Sequence, residues 1–139
     1  MDIERNFIAL IRNFKGRKDS LVMALDAYGL SWLIEQLTAL ASDQTKQIVV
    51  GDGKPVLSDD KINLTVILTD AIKHGALTSL GLNAYILNLA THEAYDLVQI
   101  INPLTENRPA HQYLDFGYQE CDMLISVGEY TADQLRLMQ

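Results

Sequence analysis

Between Ser20 and Ser42 the chain reads SLVMALDAYGLSWLIEQLTALAS, and its apolar spacing changes at Tyr28-Gly29. Before Gly29, Leu21, Met23 and Leu25 alternate with Ser20, Val22, Ala24 and Asp26, the two-residue period of a strand. After it, Leu30, Leu33, Ile34, Leu37, Leu40 and Ala41 fall on one stripe of a 3.6-residue helix. A strand that feeds an amphipathic helix must bury a face of each, so the switch dictates a layered structure of sheet and helix. Gly29 and Ser31 are expected to open the helix that carries Trp32, and Ser42-Asp43 to end it.

A second strand-to-helix change follows in NAYILNLA, Asn83 to Ala90, where Thr91 is the expected cap of a helix holding Ala94, Leu97, Val98 and Ile101, with Pro103 just beyond its end. Setting Leu25 on Leu89, 64 residues on, also sets Leu33 on Leu97, Ile34 on Val98 and Leu37 on Ile101. Duplication gives such a match, and so does the shared packing of strand-helix pairs.

The first residues read two ways. Ile3, Phe7, Leu10, Ile11 and Phe14 make a helical stripe with Asp2 as N-cap and Gly16 as stop, which favours a helix over residues 2–16. The rival is a hairpin in which FIALIRNF pairs with SLVMALDA across KGRKD. Residues 47–60 read as a short strand, a Gly-Asp-Gly turn and an exposed acidic loop, and the β-branched run Ile62 to Thr69 as a strand. Asp70 to His74 reads as a helical turn, Gly75 to Gly81 as a link, and the proline-bearing Asn102 to His111 as a surface loop. QYLDFGYQECDMLISVGEY suggests two strands joined near Gly117, before a terminal helix capped by Thr131 with Leu135 and Met138 packed inward. The expected fold is a single α+β domain over residues 1–139, a largely antiparallel sheet with helices packed on one face.

A mass of 15.6 kDa suits one domain, and 48% apolar with 21% charged residues supports a core. No run approaches the roughly 18 apolar residues of a membrane span. The N-terminus shows no basic leader with an apolar core and small-residue cleavage site, so a cytoplasmic protein without membrane contact is expected. The single cysteine, Cys121, excludes an internal disulfide or a multi-cysteine zinc site and suits a reducing compartment. A net charge of −7 repels nucleic acid and favours a basic partner, though acidity also serves solubility alone.

Familiar chemical signatures are missing. His74, His92 and His111 form no HxxxH or HxH pair, so no metal site is expected. Asp115-Phe116-Gly117 spells the kinase metal-binding triplet without the glycine loop, lysine strand or HRD segment that give it meaning. Gly51-Asp52-Gly53-Lys54 lacks phosphate-loop spacing, and no GxSxG elbow marks a nucleophile. No catalytic residue and no cofactor is therefore assigned. The candidates for contact with a basic protein partner are Asp52, Asp59 and Asp60 in the middle loop, and Tyr113, Asp115, Tyr118, Glu120, Asp122, Glu129 and Tyr130 in the late strands. Carboxylates match lysines and arginines, and tyrosine supplies contact area at low entropic cost.

In its make-up, acidic, cysteine-poor and without catalytic residues, and in the strand-turn-helix form of LVMALDAYGLSWLIEQLTAL, residues 21–40, the chain resembles small immunity proteins of bacterial toxin systems. That resemblance implies a non-enzymatic inhibitor that masks a basic partner such as a toxin. Two other readings compete: a small enzyme whose site assembles around His111, Asp115 and Cys121, and a structural domain that forms homo-oligomers through sheet edges or an exposed apolar helix face.

Overall fold

The N-terminal stretch adopts the hairpin and not the favoured helix. In the computed structural model, which describes residues 4–16, 18–53, 55–58, 62–69, 75–104, 110–114 and 121–139, β1 (Phe7–Ile11) pairs antiparallel with β2 (Asp19–Leu25), from Phe7 opposite Ala24 to Ile11 opposite Ser20. Both faces of β1 are covered. Ile8 points into the main core while Phe7, Ala9 and Ile11 point into a second cluster, so the strand reads as a continuous apolar run that imitates a helical stripe.

Asp26 follows β2 in extended conformation, and its carboxylate accepts the Gly29 N–H at 2.9 Å. That N-cap starts α1 (Ala27–Ala41) ahead of the glycine and serine expected to open it. Ser42 ends it as expected. The chain continues through β3 (Gln47–Val50), β4 (Asn63–Leu68), β5 (Ala76–Gly81), β6 (Ala84–Leu89), α2 (Thr91–Ile101), β7 (Ala110–Leu114), β8 (Cys121–Val127) and α3 (Ala132–Met138). Three further details differ from expectation. Ala76–Gly81 is a strand, because the β6 edge offers it a ladder that its own composition does not demand. The α2 cap is Ala90, with the Glu93 carboxylate accepting its N–H, and not Thr91. Leu135 is buried under α3, but Met138 is 40% exposed. The proposed turn at 70–74 and the join near Gly117 lie outside the described residues.

The strands form two mixed sheets, β1-β2-β8-β7 and β3-β4-β6-β5, each with one parallel pair at its centre and antiparallel pairs outside. The fold is α+β, with antiparallel pairing predominant as expected. Exchanging β1-β2-α1-β3-β4 with β5-β6-α2-β7-β8 turns one strand order into the other, so each half lends its second hairpin to the other half's sheet. The 64-residue match falls on this relation: β2 ends at Leu25 and β6 at Leu89, and Leu33, Leu37, Leu97 and Ile101 are all buried.

One core joins the two sheets. Leu21, Met23, Ile125 and Val127 of the first meet Ile48, Leu64, Val66 and Leu87 of the second, together with the inner stripes of α1 and α2. The opposite face of the first sheet is closed separately by Phe14 and by Ala132 and Leu135 of α3. The Thr131 hydroxyl accepts the Gln134 N–H, and the Ala132 N–H reaches Glu4 O at 2.9 Å, which seats that helix. Among the described residues no helix is long and apolar enough to cross a membrane.

Candidate functional site

Strand register sorts the polar side chains. On the first sheet, Phe7, Ala24, Ser126 and His111 form one transverse row, Ala9, Val22, Leu124 and Tyr113 the next, and Ile11, Ser20 and Asp122 the third. All face the α3 side. Most of the described late-strand candidates therefore gather on one surface, because β7 and β8 run side by side and period two sends alternate residues the same way.

Glu129 joins them through a turn. Gly128 adopts φ 76°, a left-handed conformation suited to glycine, and its N–H donates to Leu25 O at 3.0 Å. The chain reverses there and lays the Glu129 carboxylate over the buried Ser126, whose hydroxyl donates to Oε1. The His111 imidazole lies at 3.0 Å on the same oxygen and at 3.1 Å on Oε2, and since a carboxylate only accepts, Nδ1 is the donor. Tyr113 meets the imidazole edge to face, ring centres 5.5 Å apart.

This trio does not make a nucleophile. Its carboxylate stands between serine and histidine, whereas activation of a hydroxyl needs the base on the hydroxyl itself. Nor does it hold a metal by itself, since His111 and Glu129 supply two donors where three or four are needed; among the described residues no group of three or more His, Cys, Asp and Glu converges. Cys121 is buried on the inner face of β8, while His111 lies on the outer face opposite Ser126, so these two do not share a pocket. Asp115, the third member of that reading, lies outside the described residues, as do Asp59, Asp60, Tyr118 and Glu120.

The remaining candidates separate. Asp52 is exposed in the Gly51–Gly53 turn, remote in sequence from the late strands. Asp122 is buried and forms an ion pair with Lys18 at 3.1 Å. In the same row the Ser20 hydroxyl is buried without a hydrogen-bond partner among the described residues. Tyr130 is half-buried against Phe14, ring centres 6.0 Å apart, and Lys15 sits 5.5 Å from the centre of the Phe14 ring. The Lys15 ammonium is held above its ordinary range, first by its hydrogen bond with Tyr130 and by the negative potential of Tyr130, against the opposing effect of burial, and then by the weaker potentials of Glu129 and Tyr113.

Sequence reasoning did not find the groove between α2 and β7. Glu93, Asp96, Leu97 and Ile100 of the helix face Gln112, Tyr113 and Leu114 of the strand across a cavity of about 290 Å³. Leu97 and Leu114 form its apolar floor, Ile100 is 43% exposed, and Asp96 is exposed. The helical positions 93, 96, 97 and 100 follow the i, i+3, i+4, i+7 spacing, but the opposing strand could be placed only through the β7–β8 register. A larger cavity, about 380 Å³, opens near the end of α1, where its charges, Asp43 and Lys46, satisfy each other at 3.0 Å. No family model, curated protein or solved structure matches the chain.

Proposed function

We propose that this protein is a non-enzymatic binding protein of immunity type, which masks a basic protein partner such as a toxin by receiving a cationic segment in the α2–β7 groove. The observation that carries the reading is the chemistry of that groove, two carboxylates above an apolar floor. A lysine or arginine needs this combination: its methylene stem rests on apolar surface while its charged head meets a carboxylate. Glu93 is already fixed by its bond to the Ala90 N–H, so one of the two acids is preorganised. The net charge of −7 adds a long-range field that speeds the approach of a basic molecule.

The test is capture of basic proteins from native cell extract on the immobilised chain, followed by kinetics with the retained protein. Asp96→Lys should slow association several-fold and flatten its salt dependence, and Ile100→Ala should speed dissociation. Wild-type kinetics in both variants would refute the groove as the contact.

A further inference from the structure

The two hairpins that open the two halves differ in one respect. Between β5 and β6 the chain turns on Leu82 and Asn83 alone, both left-handed at φ 49° and 67°, as a tight hairpin requires. Between β1 and β2 the connecting sequence is longer, RNFKGRK over residues 12–18, and holds four cations. From Arg5 to Lys18 there are five cations and no acid, in a chain whose net charge is −7. Topology does not require this length, and the overall charge runs against it.

The excursion is built inward. Phe14 is buried in the cluster beneath α3, Asn13 and Lys15 are held left-handed at φ 49° and 52°, and the Asn13 N–H donates to Asp19 Oδ1 at 3.0 Å. A left-handed lysine is a costly conformation outside glycine, asparagine and aspartate, and such residues gather where a side chain must be aimed. Here Lys15 lies along Phe14 toward Tyr130. Beside it a solvent-open pocket of about 260 Å³ is lined by Ile11, Arg12, Phe14, Lys15, Tyr130 and Met138. An engineered apolar cavity of roughly 150 Å³ admits benzene, so this pocket has room for a ring and a charged group. Among the described residues no carboxylate forms an ion pair with Arg12 or Lys15.

We infer that this pocket binds an organic carboxylate with an aromatic or bulky apolar body, the carboxylate on Arg12 and Lys15 and the body against Ile11, Phe14 and Met138. Guanidinium and ammonium together fit a carboxylate, and the half-exposed Met138 supplies an adaptable wall. The inference is independent of the α2–β7 groove, since no residue lines both.

The test titrates the full chain with phenylacetate, its neutral counterpart 2-phenylethanol, and inorganic phosphate, by calorimetry. Phenylacetate should bind saturably and 2-phenylethanol about tenfold or more weakly, the loss expected for a charge-assisted contact. Phosphate, lacking the body, should also bind more weakly than phenylacetate. Arg12→Gln and Met138→Glu should each weaken phenylacetate at least about fivefold, and Lys46→Gln should not; both test positions are exposed, so folded variants are expected. A peptide ending in phenylalanine, with free or amidated terminus, identifies the source: tighter binding of the free acid than of phenylacetate points to a chain end, and equal or weaker binding to a small molecule. Absence of saturable binding, equal affinity for the neutral analogue or for phosphate, or an unchanged Arg12→Gln would each overturn the assignment.

Discussion

Replacing Gly29 by alanine should destabilise the protein, although alanine is the better helix former. A Cβ at this position would stand 1.9 Å from Asn6 Oδ1, and that oxygen is the acceptor for the Asp26 N–H at 3.0 Å. Asn6 is only 8% exposed, so its amide must leave a packed position and abandon the bond. Orphaning the N–H costs about 1–3 kcal/mol, and the helix regains about 1 kcal/mol at most from the loss of glycine. The net loss, about 1 kcal/mol and at most about 2 once the helix regains its share, corresponds to roughly 3–7 °C in Tm for a chain of this size. The other half of the molecule shows how to test the cause. Glu93 stands where Gly29 stands, and its carboxylate accepts the equivalent N–H, that of Ala90, at 3.0 Å. Opposite it lies Gly75, where a Cβ would come within 3.3 Å of Glu93 Oε1. One half thus caps its helix with an incoming asparagine against a glycine, and the other with its own glutamate against a glycine. Asn6→Ala alone should cost about 1–2 kcal/mol through the unpaired N–H, and Asn6→Ala with Gly29→Glu should recover most of it by rebuilding the glutamate cap. Urea unfolding with unchanged slope measures all three variants. A neutral Gly29→Ala, or a double variant no more stable than Asn6→Ala, would refute the reasoning.

Leu135 is fully buried between α3 and the first sheet, so Leu135→Ala should cost about 2–4 kcal/mol by thermal or urea unfolding; a loss below 1 kcal/mol would mean that the helix does not close that face. Removing the two ends of the Ser126–Glu129 bond should be unequal. Glu129→Ala strands a buried hydroxyl and should cost about 1–3 kcal/mol, while Ser126→Ala leaves a carboxylate still bonded to His111 and should cost under about 1 kcal/mol. Equal losses in urea unfolding would show that the hydroxyl has another acceptor.

How much of this was legible in the sequence depended on whether the signal was local. The β2–α1 switch and its echo at β6–α2 were readable, because the larger apolar residues Leu21, Met23, Leu25 and Tyr85, Leu87, Leu89 alternate along each strand and a helical stripe follows each. Phe7–Ile11 was not, since a strand covered on both faces loses its period of two, and its five residues fit a helical stripe as well. Ala76–Gly81 looked like a link because it lacks β-branched residues apart from Thr78, and becomes a strand through long-range pairing. The site divides in the same way. Tyr113, Asp122, Glu129 and Tyr130 were found as residue types, but that Asp122 pairs with Lys18 and Glu129 with His111 follows from register and from the Gly128 turn. The cationic run from Arg5 to Lys18 stood in plain view and was obscured by a net charge of the opposite sign.

The relation between the halves also tells where the chemistry has been placed. Matching the central strands by register sets His111 on Gln47, Tyr113 on Val49, Ser126 on Ile67 and Asp122 on Asn63. Among the described residues, the rows of the second sheet's outer face, with Gln47, Val49, Thr65, Ile67, Thr78, Ile86 and Asn88, thus carry no charge, whereas their counterpart carries an ion pair and the serine-glutamate-histidine trio. Backbone architecture cannot account for that difference, because both sheets have the same strand order and the same parallel centre. Burying Asp122 and Ser126 beside α3 costs desolvation that the second sheet avoids with Asn63 and Ile67 at the same positions. The two faces also differ in what covers them: Phe14 and α3 close the first, whereas Gln47, Val49 and Thr78 of the second are exposed. Of these groups Glu129 acts through its negative potential on Lys15, which lines the pocket under the long turn.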